Sequence, residues 1–281
     1  MYTGSKVIIA VNRLFKAPVH PFNLQNDGIE TYGEWQFERG KTTIEYFLKK
    51  YREEDMFKNK TVIDIGCGAA GKSIYYAHIG AKKVYGVEIL EKYRKQAEEL
   101  AQKKGLADKF EFVCADCAAL PFPNEFADTV IVNDAMEHID NPEGTIREIT
   151  RILKRNGRIY INFPPYYHPM GAHLTDVIYI PWVQLFFSDK TLIESYKKLV
   201  EKLPDGNERI NFRISEDKNG NEYFSYINKM TVKRFKKILK NLEIAPAYYA
   251  EVPLRKFLAP LAKAPILKEL FIKTVVCVIE K

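Results

Sequence analysis

Val62-Ile-Asp-Ile-Gly-Cys-Gly-Ala-Ala-Gly-Lys-Ser73 is the stretch on which the fold turns. It starts as an apolar, β-branched run and ends in small residues. That is the composition of a buried strand passing through a glycine turn into a helix N-terminus. Gly66, Gly68 and Gly71 spell G-x-G-x-x-G, the dinucleotide fingerprint. Gly66 to Ser73 also spell the phosphate loop G-x-x-x-x-G-K-[ST], and with Asp64 in front the turn reads D-x-G-x-G. All three patterns ask for one local geometry and differ in ligand. The turn announces a nucleotide-type site, and the flanking strands must say for which nucleotide.

Strand and helix signals alternate on both sides of it. Thr61–Ile65 is a strand, followed by a helix from Gly71 to about Gly80. Lys83–Val87 is a second strand and Glu91–Lys104 a second helix, stopped by Gly105. Phe110–Cys114, Thr129–Val132 and Arg158–Phe163 are further strands, and Asn141-Pro142 opens a helix with its proline in the favoured first position. Strands this apolar, separated by helices, imply a parallel sheet covered on both faces, with ligands beyond the carboxyl ends of its strands.

Upstream, residues 1–34 show no sustained period and read as an irregular arm. Trp35–Tyr51 reads as one amphipathic helix with Phe37, Ile44, Phe47, Leu48 and Tyr51 inward. After Phe163 the pattern breaks until Thr231, an interval far longer than the ~2–6 residues usual between α/β elements. It contains the aromatic stretch Ile178–Phe187, an amphipathic helix with Thr191 and Glu194 as a capping box, and a polar turn at Asp217–Asn221. This interval reads as an inserted lid. The expected division is an N-terminal arm and helix (1–58), a cofactor-binding core (59–163), a lid (164–230), and a C-terminal helix and β-hairpin completing the core (231–281). The hairpin strands lie near Ala247–Val252 and Thr274–Ile279.

The 281 residues are 46% apolar, enough for a sizeable core. Forty-three basic against 36 acidic residues give a net charge of +7, spread along the chain as a solvated surface and not gathered into a nucleic-acid face. No segment approaches the ~20 apolar residues of a membrane span, and Val7–Val11 is too short for a signal core, so a cytoplasmic protein is expected. Cys114 and Cys117 form a lone C-x-x-C with no second pair, so neither a metal nor a redox role is expected of them.

Three ligands compete for the turn. For a triphosphate, Lys72 and Ser73 would hold phosphate and magnesium, but Asp64 would set a carboxylate beside that charge. Lys72 then reads as an exposed residue of the first helical turn. Glu88, ending the second strand, suits ribose hydroxyls of a nicotinamide cofactor or of any other adenosine. Asp116, ending the third strand in Phe112-Val-Cys-Ala-Asp-Cys-Ala-Ala-Leu-Pro-Phe122, can accept a hydrogen bond from an adenine amino group. That grip fits a compact nucleoside better than a pyrophosphate-bridged one.

On these residues the chain resembles the class I S-adenosylmethionine-dependent methyltransferases, the broad small-molecule group that includes the quinone-biosynthesis enzymes. The matching pieces are Asp64–Gly68, Val84–Glu88, Ala115–Phe122, Phe126–Ile139 and Ile146–Arg158, in order and in register. The resemblance implies a Rossmann-like, seven-stranded, mostly parallel α/β sheet with its last strand antiparallel, an N-terminal helical arm and a helical lid after strand five. It implies S-adenosylmethionine as cofactor and S-adenosylhomocysteine as product. By the same resemblance Asp64, Gly66 and Gly68 face the methionine part and Glu88 takes the ribose hydroxyls. Ile89 packs on the adenine, Asp116 and the Cys117 backbone read its edge, and Asn133 lies beside the reactive methyl.

A hydroxyl or amine acceptor must lose a proton, so a base is expected near the sheet's carboxyl edge. His138 follows strand four, and His168 and His173 flank Pro169–Ala172 directly after strand five, beside Tyr166 and Tyr167. These three are the base candidates. His78 suits the helix dipole at the end of its helix, and His20 suggests no role. No third ligand stands at zinc-site spacing, so no metal is expected. Phe163-Pro-Pro-Tyr166 imitates the [DNS]-P-P-[YFW] motif of nucleic-acid amino-methyltransferases, but it follows the wrong strand and lacks the polar first residue. The expected reaction is methyl transfer to a small, partly apolar acceptor at oxygen, of the quinone, lipid-linked or glycoside type, with no nucleic-acid partner. Leu254–Lys273 mixes Phe257, Leu258, Leu261, Ile266, Leu267, Leu270 and Phe271 with lysines and arginines, as peripheral membrane contact or packing on the lid would require. RNA or protein methylation, a nicotinamide-dependent oxidoreductase and a non-catalytic cofactor-binding subunit are the alternatives. Oligomeric state is not legible.

Overall fold

Val62, Val84, Ile131, Tyr160, Val276 and Val278 fall on one face of a seven-stranded sheet, and Ile63, Val130, Val132, Ile159 and Ile161 on the other. Successive side chains in a strand point to opposite faces, so strands buried on both sides must be apolar throughout. The computed structural model describes residues 2–264 and 267–281. The strands are β1 (Thr61–Ile65), β2 (Lys83–Glu88), β3 (Phe110–Cys114), β4 (Ala127–Asn133), β5 (Leu153–Phe163), β6 (Ile214–Glu216), β7 (Glu222–Phe224), β8 (Tyr248–Pro253) and β9 (Ile272–Glu280). The large sheet has the order β3-β2-β1-β4-β5-β9-β8, and β6-β7 form a separate hairpin. β1 to β5 pair in parallel, while β9 runs antiparallel to both β5 and β8. The chain winds outward from β1 in one direction and from β4 in the other. Their carboxyl ends therefore flank a topological switch point, where such sheets bind ligands.

One face of the sheet is covered by the Gly71–His78 and Arg94–Lys103 helices and the other by Pro142–Ile152 and Val232–Asn241. Asn141 caps the Pro142–Ile152 helix, its side chain accepting from the Gly144 N–H, and Thr231 caps the last helix in the same way from Arg234.

Several local expectations are corrected. Residues 1–34 are not an irregular arm. Thr3–Asn12 and Pro21–Asn26 are helices, and Thr31 and Glu34 form a capping box that starts a third helix, Tyr32–Glu38. The first helix buries Ser5, Ile8 and Asn12, and two polar residues among three leave no apolar period to detect. Asn12 is satisfied by the insertion, donating from Nδ2 to the Val177 carbonyl (2.7 Å) and accepting from the Tyr179 N–H (2.6 Å). The single helix expected over Trp35–Tyr51 is broken after Glu38 and resumes as Gly40–Ile44. The expected stripe still faces inward, but Gly40 lies so close to the Tyr75 ring that a Cβ would stand 2.2 Å from it. In the insertion, Ser188 and not Thr191 caps the Asp189–Val200 helix. Glu194 instead accepts from the Tyr2 N–H at 2.7 Å and from the Ser5 hydroxyl, tying the N-terminal helix down.

Residues from Ala172 to Ile227 build a third apolar core with Ile8, centred on Leu192, Ile193, Tyr196 and Val200. Beneath it a buried ion network joins Asp176 to Arg209 (3.0 Å) and Arg213 (3.3 Å). The Leu254–Lys273 segment makes short 3-10 turns at Lys256–Leu258, Leu261–Lys263 and Lys268–Phe271; its Pro265 and Ile266 lie outside the described residues. Phe271 packs edge-on to Trp182, while Phe257 is 78% exposed. Among the described residues no helix is long and apolar enough to cross a membrane.

Candidate active site

The glycine turn is held from below and covered from above. The Gly66 and Cys67 N–H groups both donate to the Val87 carbonyl, at 2.9 and 3.0 Å. Gly66 (φ 69°) and Gly68 (φ 55°) occupy the left-handed region, and a Cβ at Gly66 would stand 2.7 Å from that of Ala135. The turn is thus packed directly against the loop that follows β4. The Gly68 N–H donates to Glu88 Oε2 (3.0 Å), and Glu88 Oε1 accepts from the Ile89 and Leu90 N–H groups. Above lies the Tyr32–Glu38 helix. Gln36 Oε1 accepts from the Gly71 N–H (3.2 Å), and Tyr32 lies against both Gly68 and Tyr93.

Asp64 does not face outward. It is 2% exposed and its Oδ2 accepts from the Ser73 hydroxyl at 2.6 Å. Burial pushes its carboxyl up to about 6, opposed by the Ser73 hydrogen bond and by Lys72. A raised acid favours folding when protonated and costs stability once ionised, so the penalty builds as pH rises from about 4 and is complete above about 6. Asp64→Asn should therefore stabilise the ligand-free protein progressively between about pH 4 and 6, reaching about 2–3 kcal/mol above that. Melting temperatures of the two proteins across that range check it; a difference independent of pH would contradict a buried ionisable carboxylate.

Lys72 is not the exposed first-turn residue that was expected. Its side chain is only 14% exposed and its ammonium bonds the Asn133 side chain and pairs with Asp134 at 3.7 Å. Asn133 is a hub at the end of β4. Its Nδ2 donates to the Thr43 carbonyl (3.0 Å) and to Asn162 Oδ1 (2.6 Å), the latter across the β4–β5 register. Asn162 in turn donates to Asp134 (3.0 Å).

At the outer edge, Ala115 N–H donates to the Glu88 carbonyl (3.1 Å), bringing the ends of β2 and β3 together. Ile89 is 65% exposed there. Asp116 lies exposed, with Oδ1 accepting from the Ala118 N–H, and Cys117 turns its thiol to Thr145. Next to this edge is a pocket of about 200 Å³ whose walls include Tyr32, Lys92, Tyr93, Arg209 and Phe212. A left-handed glycine turn, a strand-end carboxylate, an exposed apolar residue and a second carboxylate thus follow one another at the carboxyl ends of β1, β2 and β3. A larger cleft of about 560 Å³, lined by Glu54, Asp55, Lys58, Asn59, Lys60 and Arg158, lies at the opposite, amino end of the strands, away from these groups.

The three candidate histidines part company. His138 and His173 meet edge to face, with ring centroids 4.9 Å apart. His168 stays in the turn after β5, its Nδ1 accepting from the Met170 N–H, with burial pushing its imidazole down to about 4. Between His138 and His173 stands a residue that spacing did not reveal. Glu137 is 4% exposed, neither carboxylate oxygen has a hydrogen-bond partner among the described residues, and burial, then Asp134, push its carboxyl well above the ordinary range. Its Oε1 lies 3.8 Å from Nε2 of both histidines. Desolvation pushes both imidazoles below the ordinary histidine range, His173 well below it. His173 is itself left-handed (φ 53°), its carbonyl accepting from the Tyr226 hydroxyl and from Arg213 Nε. His138 Nδ1 bonds the Tyr226 carbonyl at 2.6 Å, and Asn228 Nδ2 donates to the Met136 and Ile139 carbonyls. The insertion thus clamps the loop after β4.

A family model described as a methyltransferase domain matches residues 63–161, the span that carries the glycine turn, Glu88, Asp116 and the loop after β4. Residues 63–161 thus carry the sequence pattern of a methyltransferase domain, on the parallel sheet described above. A sterol 24-C-methyltransferase of Gibberella zeae is 33% identical over 126 residues, covering 45% of this chain and 32% of that protein. A tocopherol O-methyltransferase of Arabidopsis thaliana is 33% identical over 109 residues (39% and 31%), and a norajmaline N-methyltransferase of Rauvolfia serpentina 30% over 104 residues (37% and 36%). The matched region spans about a third of the length of these curated relatives. In solved structures, the PH0226 protein of Pyrococcus horikoshii matches at TM-score 0.51 and 18% identity over 88% of this chain and 91% of its own. The [4+2]-cyclase SpnF matches at TM-score 0.57 and 14% identity over 100% and 97%. The relatives so matched are carbon, oxygen and nitrogen methyltransferases by name, and the fold is shared by a [4+2]-cyclase. The acceptor chemistry has to be argued from the site.

Proposed function

We propose that this protein transfers the methyl group of S-adenosylmethionine to a hydroxyl of a small, partly apolar acceptor bound between the methyltransferase domain and a lid built from residues 164–230. The observation that carries this reading is the Glu137–His138–His173 cluster. Glu137 and His138 sit on the loop packed against Gly66, and His173 comes to them from the insertion, beside Tyr226. The cofactor supplies an already activated methyl, so the chain's part is to align the partners, exclude water and receive a proton. Glu88 is suited to the ribose hydroxyls, Ile89 to the adenine face, and Asp116 with the Cys117 N–H to the adenine edge. Gly66 and Gly68 leave the methionine part room, and Asp64 and Asn133 support that turn from behind through Ser73 and Lys72.

Tyr226, Phe212 and Arg213 wall the acceptor side. Tyr226 stacks on His138 at 5.6 Å and tilts against Phe212 at 5.8 Å, with Arg213 over its ring at 5.1 Å. Such walls suit a flat, partly apolar molecule with a polar end. Hydroxyl methylation needs a sink for the departing proton, and the buried Glu137 carboxyl with the two imidazoles beside it offers one. His168 is assigned to the turn that positions His173. The named relatives methylate small molecules, which favours this class of acceptor over RNA or protein. Incubating the protein with methyl-labelled S-adenosylmethionine and a solvent-fractionated metabolite extract tests the proposal. Label should enter the organic fraction as a methyl ether, and label confined to RNA or protein would overturn it.

A further inference from the structure

We infer that Glu137, His138 and His173 form a binding site for one borderline divalent cation, of the zinc, cobalt or iron(II) kind. Their donor atoms all lie within 4.8 Å of one another. Glu137 Oε1 is 3.8 Å from each Nε2, too far for a hydrogen bond and near the ~3.4 Å separating two ligands held about 2.1 Å from a tetrahedral ion. Two imidazoles and one carboxylate are the donor set of open, three-ligand sites for such ions, whereas magnesium or calcium would ask for six or more oxygens.

Two further observations point to a ligand here. Both oxygens of Glu137 are buried without a hydrogen-bond partner among the described residues. An orphaned carboxylate at 4% exposure costs free energy that a cation would offset. His138 bonds the Tyr226 carbonyl through Nδ1, which places its proton there and leaves the Nε2 lone pair facing Glu137. That is the outer-shell bond by which a metal-ligating histidine is oriented. The nearby positive charge of Arg213 is held by Asp176 at 3.3 Å, and Lys72 is held by Asn133 and Asp134.

This deepens the reading of the same site, and rests on it only for what the ion would do. A hydroxyl acceptor at the ion's open position would be made acidic enough to give up its proton to water before the acceptor is enclosed. With the ion bound, the cluster's donors hold the ion and no longer serve as the proton sink. An oxygen lone pair then forms the O–CH3 bond while the S–CH3 bond breaks and leaves its electrons on sulfur.

The test is metal uptake, read without turnover. Protein stripped with a chelator is titrated with Co2+, following its visible absorption, and then with competing Zn2+. One equivalent per chain should bind to the wild type. Losing even an outer-shell partner weakens metal sites by about 10–100-fold, so Glu137→Gln and His173→Ala should each weaken uptake at least that much, and surface His78→Ala should not. Glu137→Gln keeps the side-chain volume, and melting curves with and without Zn2+ show that each variant folds. No stoichiometric uptake, or uptake undiminished in Glu137→Gln, would overturn the inference. S-adenosylmethionine binding is measured on the same stripped protein. If that binding persists without ion uptake, the metal inference alone fails.

Discussion

Glu88→Ala should weaken S-adenosylmethionine binding by about 100-fold or more. A carboxylate accepting from both ribose hydroxyls contributes about 1.5–3 kcal/mol per charged hydrogen bond, and each 1.4 kcal/mol is about tenfold in affinity. Glu88 also accepts from the Gly68 N–H, so its removal frees the turn as well as the ribose contact. Glu88→Gln separates the two effects. Its amide oxygen can keep the Gly68 bond at the expense of those from the Ile89 and Leu90 N–H groups, so the loss should shrink, to about tenfold. Calorimetric titration of the three proteins, with unliganded melting curves as a control for folding, checks this. Unchanged affinity in Glu88→Ala would remove the ribose role.

The second large effect is structural. A Cβ at Gly71 would stand 2.0 Å from the Gly33 carbonyl oxygen, 2.6 Å from Gln36 Cβ and 2.7 Å from the Phe37 nitrogen. Two of these are backbone atoms and cannot swing aside, so Gly71→Ala must push the Tyr32–Glu38 helix off the turn. Overpacking typically costs about 1–3 kcal/mol, and here buried Phe37 and Gln36 are displaced too, so about 3 kcal/mol or more is expected. Gly105→Ala is the contrast. It has a positive φ (68°), which Gly71 lacks, but nothing within 4 Å, so only strain of about 1–2 kcal/mol applies. Denaturant midpoints should rank Gly71→Ala well below Gly105→Ala; equal effects would mean the helix is not seated as described.

The parts of this molecule that follow from local sequence were legible. β1, the glycine turn and the acids at the ends of β2 and β3 sit in short, strongly patterned segments, and their order specifies the sheet. The N-terminal helix was not, because Ser5 and Asn12 face inward to meet partners some 165 or more residues away, which no apolar period records. Lys72 was misplaced for a related reason. Its environment is made by Asn133 and Asp134, which the β1–β4 pairing brings to it. Glu137 was hidden by adjacency. Neighbouring residues face apart in a strand or helix, but Met136–His138 is a single 3-10 turn, and there Glu137 and His138 converge on His173 from the next strand's loop. Tyr226 and Arg213 reach the site only because the insertion folds back over it.

The account rests on the turn after β1 holding an adenosine with a sulfonium side chain. Calorimetric titration of the wild-type protein with S-adenosylmethionine, S-adenosylhomocysteine, NADH and ATP tests it most directly. The account predicts one site per chain for the first two and no heat of binding for the others. Binding of NADH or ATP, with none for S-adenosylmethionine, would contradict it.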